Sequence, residues 1–444
     1  MKSGLDTDLY ELTMAAGYWR AGLTRPATFE LFVRRLPSSR GYLIAAGLET
    51  ALAHLEGLGF SEDDRNWLRH LPQFANVPPD FFDEYLARFA FSGDVWAMPE
   101  GTAVFANEPL LRVIVSLPDA QLLETALLAI VSFQTSVASK AARLVDAAAG
   151  RPVIEFGARR AHGLGGALDA ARAAYIGGCD GTSFVTAARR FDIPTSGTMA
   201  HAWVQSFPTE RAAFSEFSRT FEESAVYLLD TYDTLNAARA LAQSGLEPPV
   251  VRLDSGDLIR LSREVRKILD DAGLAKTRIF ATGDLDEHEI ARMIAAGAAI
   301  DGFGVGTALT TVSDAPSLSA VYKLVELERD GQPVDVVKLS PGKHTWPGAK
   351  QVWRCMKGPT ASWDVIAGCQ EAGPPQSGAL LRHVLARGKR ICAPETLGDI
   401  RARCRATMTS LPAAVTRIAD AAPFDVRVSE ALETRRLAAE RRST

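Results

Sequence analysis

The chain has 444 residues, 47% hydrophobic and 23% charged, an ordinary soluble composition with length enough for two or three domains. A net charge of −4 argues against a general nucleic-acid binder, so any anionic ligand must be met by local arginines. The opening MKSGLDTDLYELT lacks a signal-type apolar core, and the longest apolar run, residues 126–131, is far too short for a bilayer, so no membrane partner and a cytoplasmic location are expected.

Thr7 or Asp6 can cap a helix through Tyr10, Leu12 and Tyr18 that stops at Gly22. On residue type alone, Tyr10 reads as a half-buried aromatic. Residues 29–33 alternate as a strand, residues 42–57 read as an amphipathic helix, and residues 94–116 as two β runs around turns. A helix over about 120–148 leads onward, with no Pro/Gly/Ser-rich linker to mark a boundary.

From Pro152 the pattern becomes regular. About seven strand–loop units fall between residues 152 and 307. They end at Gly157-Ala158-Arg159-Arg160, at Asp180-Gly181-Thr182-Ser183, at Ser196-Gly197-Thr198 ahead of His201, at Asp230, at Asp254-Ser255-Gly256-Asp257, at Thr282-Gly283-Asp284 and at Gly304-Val305-Gly306-Thr307. Strands joined by helices through short links run parallel, and chemistry collects at their carboxyl ends. No G-x-G-x-x-G opens a helix after the first strand, which favours an irregular or incomplete α/β barrel over a doubly wound sheet. After Tyr322 the chain turns to β pattern again, then to a charged helical tail from about Arg401. The expected organisation is an N-terminal α+β domain over 1–130, the barrel over 131–325, and a C-terminal segment over 326–444. That segment and the N-terminal one are expected to build one mixed α+β domain.

Arg159, Arg160 and Arg252 can grip carboxylate or phosphate through bidentate bonds. Asp180, Asp230, Asp254, Asp257 and Asp284 can accept ribose hydroxyls or bind Mg²⁺ through waters. Glycines at 302, 304 and 306 allow backbone N–H groups to approach a terminal phosphate. Together these suit a sugar phosphate whose diphosphate travels with Mg²⁺. No H-E-x-x-H or Walker A motif is present. The five cysteines show neither disulfide nor zinc spacing, so no protein-held metal is expected. His201 stands at the expected mouth, whereas His54, His70 and His288 fall on helical faces read as solvated.

Eight ordered motifs carry a resemblance: TDLYELTMAAGYW (7–19), EFGARRAHG (155–163), DGTSFVTAARRFDIPTSGTMAHAWVQSF (180–207), DTYDT (230–234), VRLDSGDL (251–258), ATGDLDE (281–287), GFGVGT (302–307) and KLSPGKHTWPGAKQVWR (338–354). Over nearly its whole length the chain resembles the nicotinate phosphoribosyltransferases, a type II phosphoribosyltransferase family. The resemblance implies transfer from 5-phosphoribosyl-1-pyrophosphate to nicotinate, giving nicotinate mononucleotide and pyrophosphate in NAD salvage. It implies Mg²⁺, and ATP hydrolysis through a phosphorylated His201. It also implies a homodimer in which Tyr10 reaches the neighbour's site to stack on the pyridine, with Phe156 on the ring's other face. Arg252 and Arg159 would hold the carboxylate or the diphosphate, Asp254 the ribose hydroxyls and Asp180 a place by the ring. Gly283, Gly304 and Gly306 would meet the 5′-phosphate, and Gly197, Thr198 and Thr307 would line the substrate site. Ala158 departs from the family's frequent leucine, and Gly283 stands where asparagine or serine is common nearby. The alternatives are a nicotinamide phosphoribosyltransferase, disfavoured by EFGARR and the K-L-S-x-G-K run, and a phosphoribosyl-binding barrel without turnover.

Overall fold

The computed structural model describes residues 2–339 and 345–443. The chain divides into two compact units, one taking it up to Ser136 and again from Ser317, the other spanning residues 137–316.

In the first unit, Phe29, Leu31 and Val33 lie on the strand Pro26–Val33 and are buried. That strand pairs antiparallel with Pro109–Ser116 on one side and Ala320–Arg329 on the other, at the heart of a seven-stranded sheet. Phe29 stacks on Tyr322 at 4.8 Å, and Lys350 reaches Glu30 at 2.7 Å in the same interior. Both ends of the chain therefore share one core. Residues 320–325, expected with the barrel, belong here because they pair with Pro26–Val33. A four-stranded sheet is built from Ser377–Ala379, Lys350–Lys357, Thr360–Gly368 and Val426–Val428.

Local expectations needed several adjustments in this unit. The helix expected over 42–57 is a short strand, Leu43–Ile44, and a helix, Leu48–Gly57, separated at Gly47, whose φ of +96° a residue with a Cβ resists. The first helix is Leu9–Arg20 with Asp8 at its N-cap, because the Thr7 hydroxyl donates to Glu11 instead. His54 is buried rather than solvated. Among the described residues, no helix is long and apolar enough to cross a membrane.

The second unit carries six strands: β1 (Val153–Glu155), β2 (Gly181–Thr182), β3 (Val226–Leu228), β4 (Val250–Leu253), β5 (Arg278–Ala281) and β6 (Gly302–Val305). All pair in parallel, in the order β3-β4-β5-β6-β1-β2. The crossovers hold α1 (Gly163–Ile176), α2 (Val185–Phe191), α3 (His201–Gln205), α4 (Glu210–Phe221), α5 (Thr234–Ala242), α6 (Leu258–Asp271) and α7 (Glu287–Ala295), and α8 (Thr307–Thr310) follows β6.

Residues 194–199, expected as a seventh strand, make a single bridge from Thr195 to Thr182, since Pro194 has no N–H to donate. On its other side this segment meets β3, where the Thr198 hydroxyl donates to the Val226 carbonyl at 2.7 Å. The sheet thus curls round, and its two edges are joined by a piece that is not a strand. This is an irregular, incomplete α/β barrel, as the sequence pattern led one to expect.

Behind the sheet, Lys140 and Arg143 of the helix Glu124–Ala147 are almost fully buried. Lys140 Nζ lies 2.6 Å from Glu287 and 2.9 Å from Asp314, and Arg143 Nε lies 2.9 Å from Glu287. This closed ion cluster holds the start of α7 and the chain beyond α8.

Candidate active site

Strand periodicity builds the site. Along β4 the residues alternate between half-buried and buried, so Arg252 and Asp254 share the face opposite Val251 and Leu253. Ile154 and Phe156 lie on one face of β1 and its extension, and Phe280 and Thr282 on one face of β5. At the carboxyl ends these faces enclose a cavity of about 620 Å³. Phe156, Arg159, Arg252 and Asp254 line it, as do Gly197, Thr198, Gly283, Gly304, Gly306 and Thr307. Most residues singled out from the barrel sequence therefore line one pocket, whereas Asp180, His201, Asp230, Asp257 and Gly302 are not on its wall.

The charged groups there are held by neutral donors or left open. Thr282 donates its hydroxyl to Asp254 Oδ1. Asp230 Oδ2 receives the Ser255 hydroxyl at 2.5 Å and the Asp254 N–H at 3.2 Å, which fixes the turn after β4. Arg252 has a buried Nε without a hydrogen-bond partner. Burial lowers its pKa, Asp254 and Asp230 pull it back up, and Arg159 adds a repulsion. An arginine so placed is ready for an incoming anion. His201 begins α3 at the rim, with Nδ1 3.2 Å from the Thr231 hydroxyl and Nε2 4.0 Å from Asp254 Oδ2. The turn after β5 carries Gly283 at φ +95° and Asp284 at φ +46°, and a Cβ on Gly283 would collide with the Asp254 carbonyl. Glycine there lets the β4 and β5 turns touch.

Two expectations change. Asp180 was expected beside the ring, but it precedes β2, at the amino end of the strand, and accepts the Val153 N–H at 3.0 Å. The residue facing the cavity from this strand is Ser183, three positions on and past the carboxyl end. The glycines of β6 were expected to bare the backbone for phosphate. Gly302 and Gly304 also make room for aromatic rings, since a Cβ on them would strike Phe280 and Phe156. Gly304, Gly306 and Thr307 all stand on the cavity wall, and Gly302 does not.

Thr282, Ser183 and Glu155 escaped the sequence reading. A threonine at a strand end carries no signal until its carboxylate partner is known. Tyr10 lies in the first unit, 47% exposed, with its pKa raised by burial and by Glu124 and Glu11. Residues 340–343 of the run expected to favour the acid lie outside the described residues. Among the described residues, no group of three His, Cys, Asp or Glu side chains is arranged to hold a metal. Asp254 and Asp284 on the cavity wall suit a divalent cation that arrives on a diphosphate and keeps most of its waters.

Beneath the mouth, the barrel is hollow. A second cavity of about 610 Å³ shares Phe156, Gly197, Thr198 and Arg252 with the first and continues between Ile154, Val226, Val250 and Phe280.

Fold and site together are those of an α/β barrel class whose strands open, at their carboxyl ends, on a cavity lined by Arg159, Arg160 and Arg252. Residues 152–345 match the family model described as "Nicotinate phosphoribosyltransferase (NAPRTase) family", residues 5–132 that of its N-terminal domain and residues 372–436 that of its C-terminal domain. The nicotinate phosphoribosyltransferase pncB2 of Mycobacterium tuberculosis is 45% identical over 416 residues, covering 92% of this chain and 87% of that protein. That of Bacillus subtilis is 48% identical over 360 residues, 79% of this chain and 72% of its own. The crystal structure of human nicotinic acid phosphoribosyltransferase superposes with a TM-score of 0.83 at 30% identity, covering 96% of this chain and 98% of its own. The chain belongs to the nicotinate phosphoribosyltransferase family.

Proposed function

We propose that this protein transfers the phosphoribosyl group of 5-phosphoribosyl-1-pyrophosphate to nicotinate, giving nicotinate mononucleotide and pyrophosphate in NAD salvage. The observation that carries it is one cavity uniting an aromatic platform, Phe156, with three arginines, Arg159, Arg160 and Arg252, the carboxylate of Asp254 and the Gly306–Thr307 wall. Family membership supports the same reading.

The chemistry asks little proton transfer of the protein. A pyridine nitrogen already offers a lone pair, so attack on the anomeric carbon needs no general base. The chain must hold a flat ring against a developing oxocarbenium ion and compensate the departing pyrophosphate. Phe156 holds the ring. Arg252 and Arg159 meet the ring carboxylate or the diphosphate, and the Asp254 carboxylate takes the ribose hydroxyls and favours positive charge on the sugar. Asp254 and Asp284 would hold Mg²⁺ arriving on the diphosphate, and the ion would supply further neutralisation of the leaving group.

The proposal extends to ATP hydrolysis coupled through phosphorylation of His201, and to a cytoplasmic homodimer with shared sites, in which Tyr10 of the neighbour closes over the ring. His201 stands 4.0 Å from Asp254, which supports communication between a phosphorylated imidazole and the ribose site. Pyrophosphate release measured with nicotinate, nicotinamide and quinolinate, each with and without ATP, tests the assignment. Release with nicotinate, raised by ATP, is expected. A clear preference for the amide would overturn the acid assignment, and binding of the phosphoribosyl donor without release would overturn turnover.

A further inference from the structure

Glu155, the last residue of β1, is 1% exposed, and its hydrogen-bond donors are all neutral. Its carboxylate accepts the Gly157 N–H, the Thr182 hydroxyl at 2.5 Å and the Thr310 hydroxyl at 3.3 Å. Burying a carboxylate without a cation is unfavourable, and three neutral donors offset only part of that penalty. Burial accordingly holds its carboxyl above the usual range despite the three bonds. Such a group needs a reason to be there.

Its donors come from three separate walls of the mouth. Gly157 opens the loop carrying Ala158, Arg159 and Arg160. Thr182 precedes Ser183, and its hydroxyl oxygen also accepts the Phe184 N–H at 3.0 Å. Thr310 ends α8, whose first residue is Thr307. Phe156, between Glu155 and Gly157 in the chain, is held by its own N–H to the Val305 carbonyl at 2.8 Å. One carboxylate thus ties the ring-bearing loop, the end of β2 and the helix that follows the Gly306–Thr307 wall.

We propose that Glu155 is a positioning residue for phosphoribosyl transfer, fixing the separation between the wall that carries Phe156 and Arg159 and the wall that carries Gly306 and Thr307. This role rests on the transfer reaction proposed above. The ring is held by one wall and the 5′-phosphate by the other, so the gap between attacking nitrogen and anomeric carbon follows the gap between walls. Reacting atoms must sit about 3–3.5 Å apart, and a misplacement of about 1 Å can lose about 10²-fold in rate. Each substrate alone still meets an intact wall. Loss of the tie therefore strikes kcat and spares KM.

The test is steady-state kinetics on purified, folded Glu155→Gln, Glu155→Asp and Thr310→Val, with circular dichroism and thermal unfolding as controls. Glutamine presents an NH₂ where the carboxylate accepted, so one donor faces another. In Glu155→Gln, kcat is expected to fall about 100-fold with both KM values within about threefold of the parent. Glu155→Asp, which keeps the charge but withdraws it by one methylene, should fall between the two. Thr310→Val removes only the α8 tie and should lower kcat about fivefold to tenfold, which keeps the proposal open to refutation even if Glu155→Gln fails to fold. Parent-like kcat in folded Glu155→Gln or in Thr310→Val, or a loss confined to KM, overturns the role. A parent enzyme silent with nicotinate overturns the reaction and this role together, whereas an active parent with an unaffected variant overturns the role alone.

Discussion

Two arginines of the same unit make opposite use of one chemical group. Arg143 is 1% exposed and closed off, its Nε bonded to Glu287, which Lys140 also reaches. Arg252 lines the cavity with a buried Nε that no protein acceptor meets. Breaking a closed buried cluster strands the remaining charges, so its members maintain the fold. An arginine left open is kept against its own desolvation for something outside the chain. Satisfaction, more than burial, separates scaffold from site.

That contrast can be broken most directly at Glu287. Glu287→Ala is expected to lower unfolding stability by about 3–5 kcal/mol, because Lys140 and Arg143 lose their shared partner. Chemical denaturation measures it. Burial pushes the Glu287 carboxyl up, but Lys140 and Arg143 outweigh it, and the net pKa is lowered. Its contribution is therefore complete above the ordinary carboxylate range and is lost as pH falls through the lowered folded value. The fall in thermal midpoint on acidification should be shallower in Glu287→Gln than in the parent.

Arg252→Met should show the reverse signature. The rate kcat/KM is expected to fall about 10²–10³-fold, as for removal of one preorganised electrostatic contact, while stability stays within about 1 kcal/mol of the parent. Equal stability losses at Arg143 and Arg252 would dissolve the distinction. His201→Ala sharpens it on the open side: ATP stimulation should vanish and slow ATP-independent synthesis remain, read as product formation across ATP concentrations. The smallest effect is expected at Tyr10. Tyr10→Ala should raise the nicotinate KM about fivefold, in keeping with one lost aromatic stack of about 1 kcal/mol. Mixed dimers of Tyr10→Ala and Arg252→Ala chains should regain activity if sites are shared.

What the sequence revealed followed from periodicity. Parallel strands bring their carboxyl ends together, so Arg252 and Asp254 were legible as site residues from the strand–loop pattern, whereas Phe156 was named only through the family resemblance. Asp180 misled because it stands three residues before the cavity-facing Ser183, and a short strand leaves little room to tell its foot from its head. Pro194 and Gly197 interrupted a seventh strand that hydrophobic pattern alone suggested. The contacts of Thr282 with Asp254 and of Thr310 with Glu155 join residues far apart in sequence through single hydroxyls, and no local spacing announces such a bond. The glycines of β6 have a second role that spacing does not announce: Gly302 and Gly304 leave room for the rings of Phe280 and Phe156.

The meeting of Gly157 with Thr310 has a consequence for how this protein can vary. A methyl group on residue 157 would occupy the position of the Thr310 hydroxyl and press on the Gly306 carbonyl. Gly157 is not free to drift while Thr310 stays: a larger residue in the loop demands a smaller one on the helix, and that exchange would sever a bond to Glu155. Descendants of this chain should therefore keep glycine at 157 for as long as they keep Thr310.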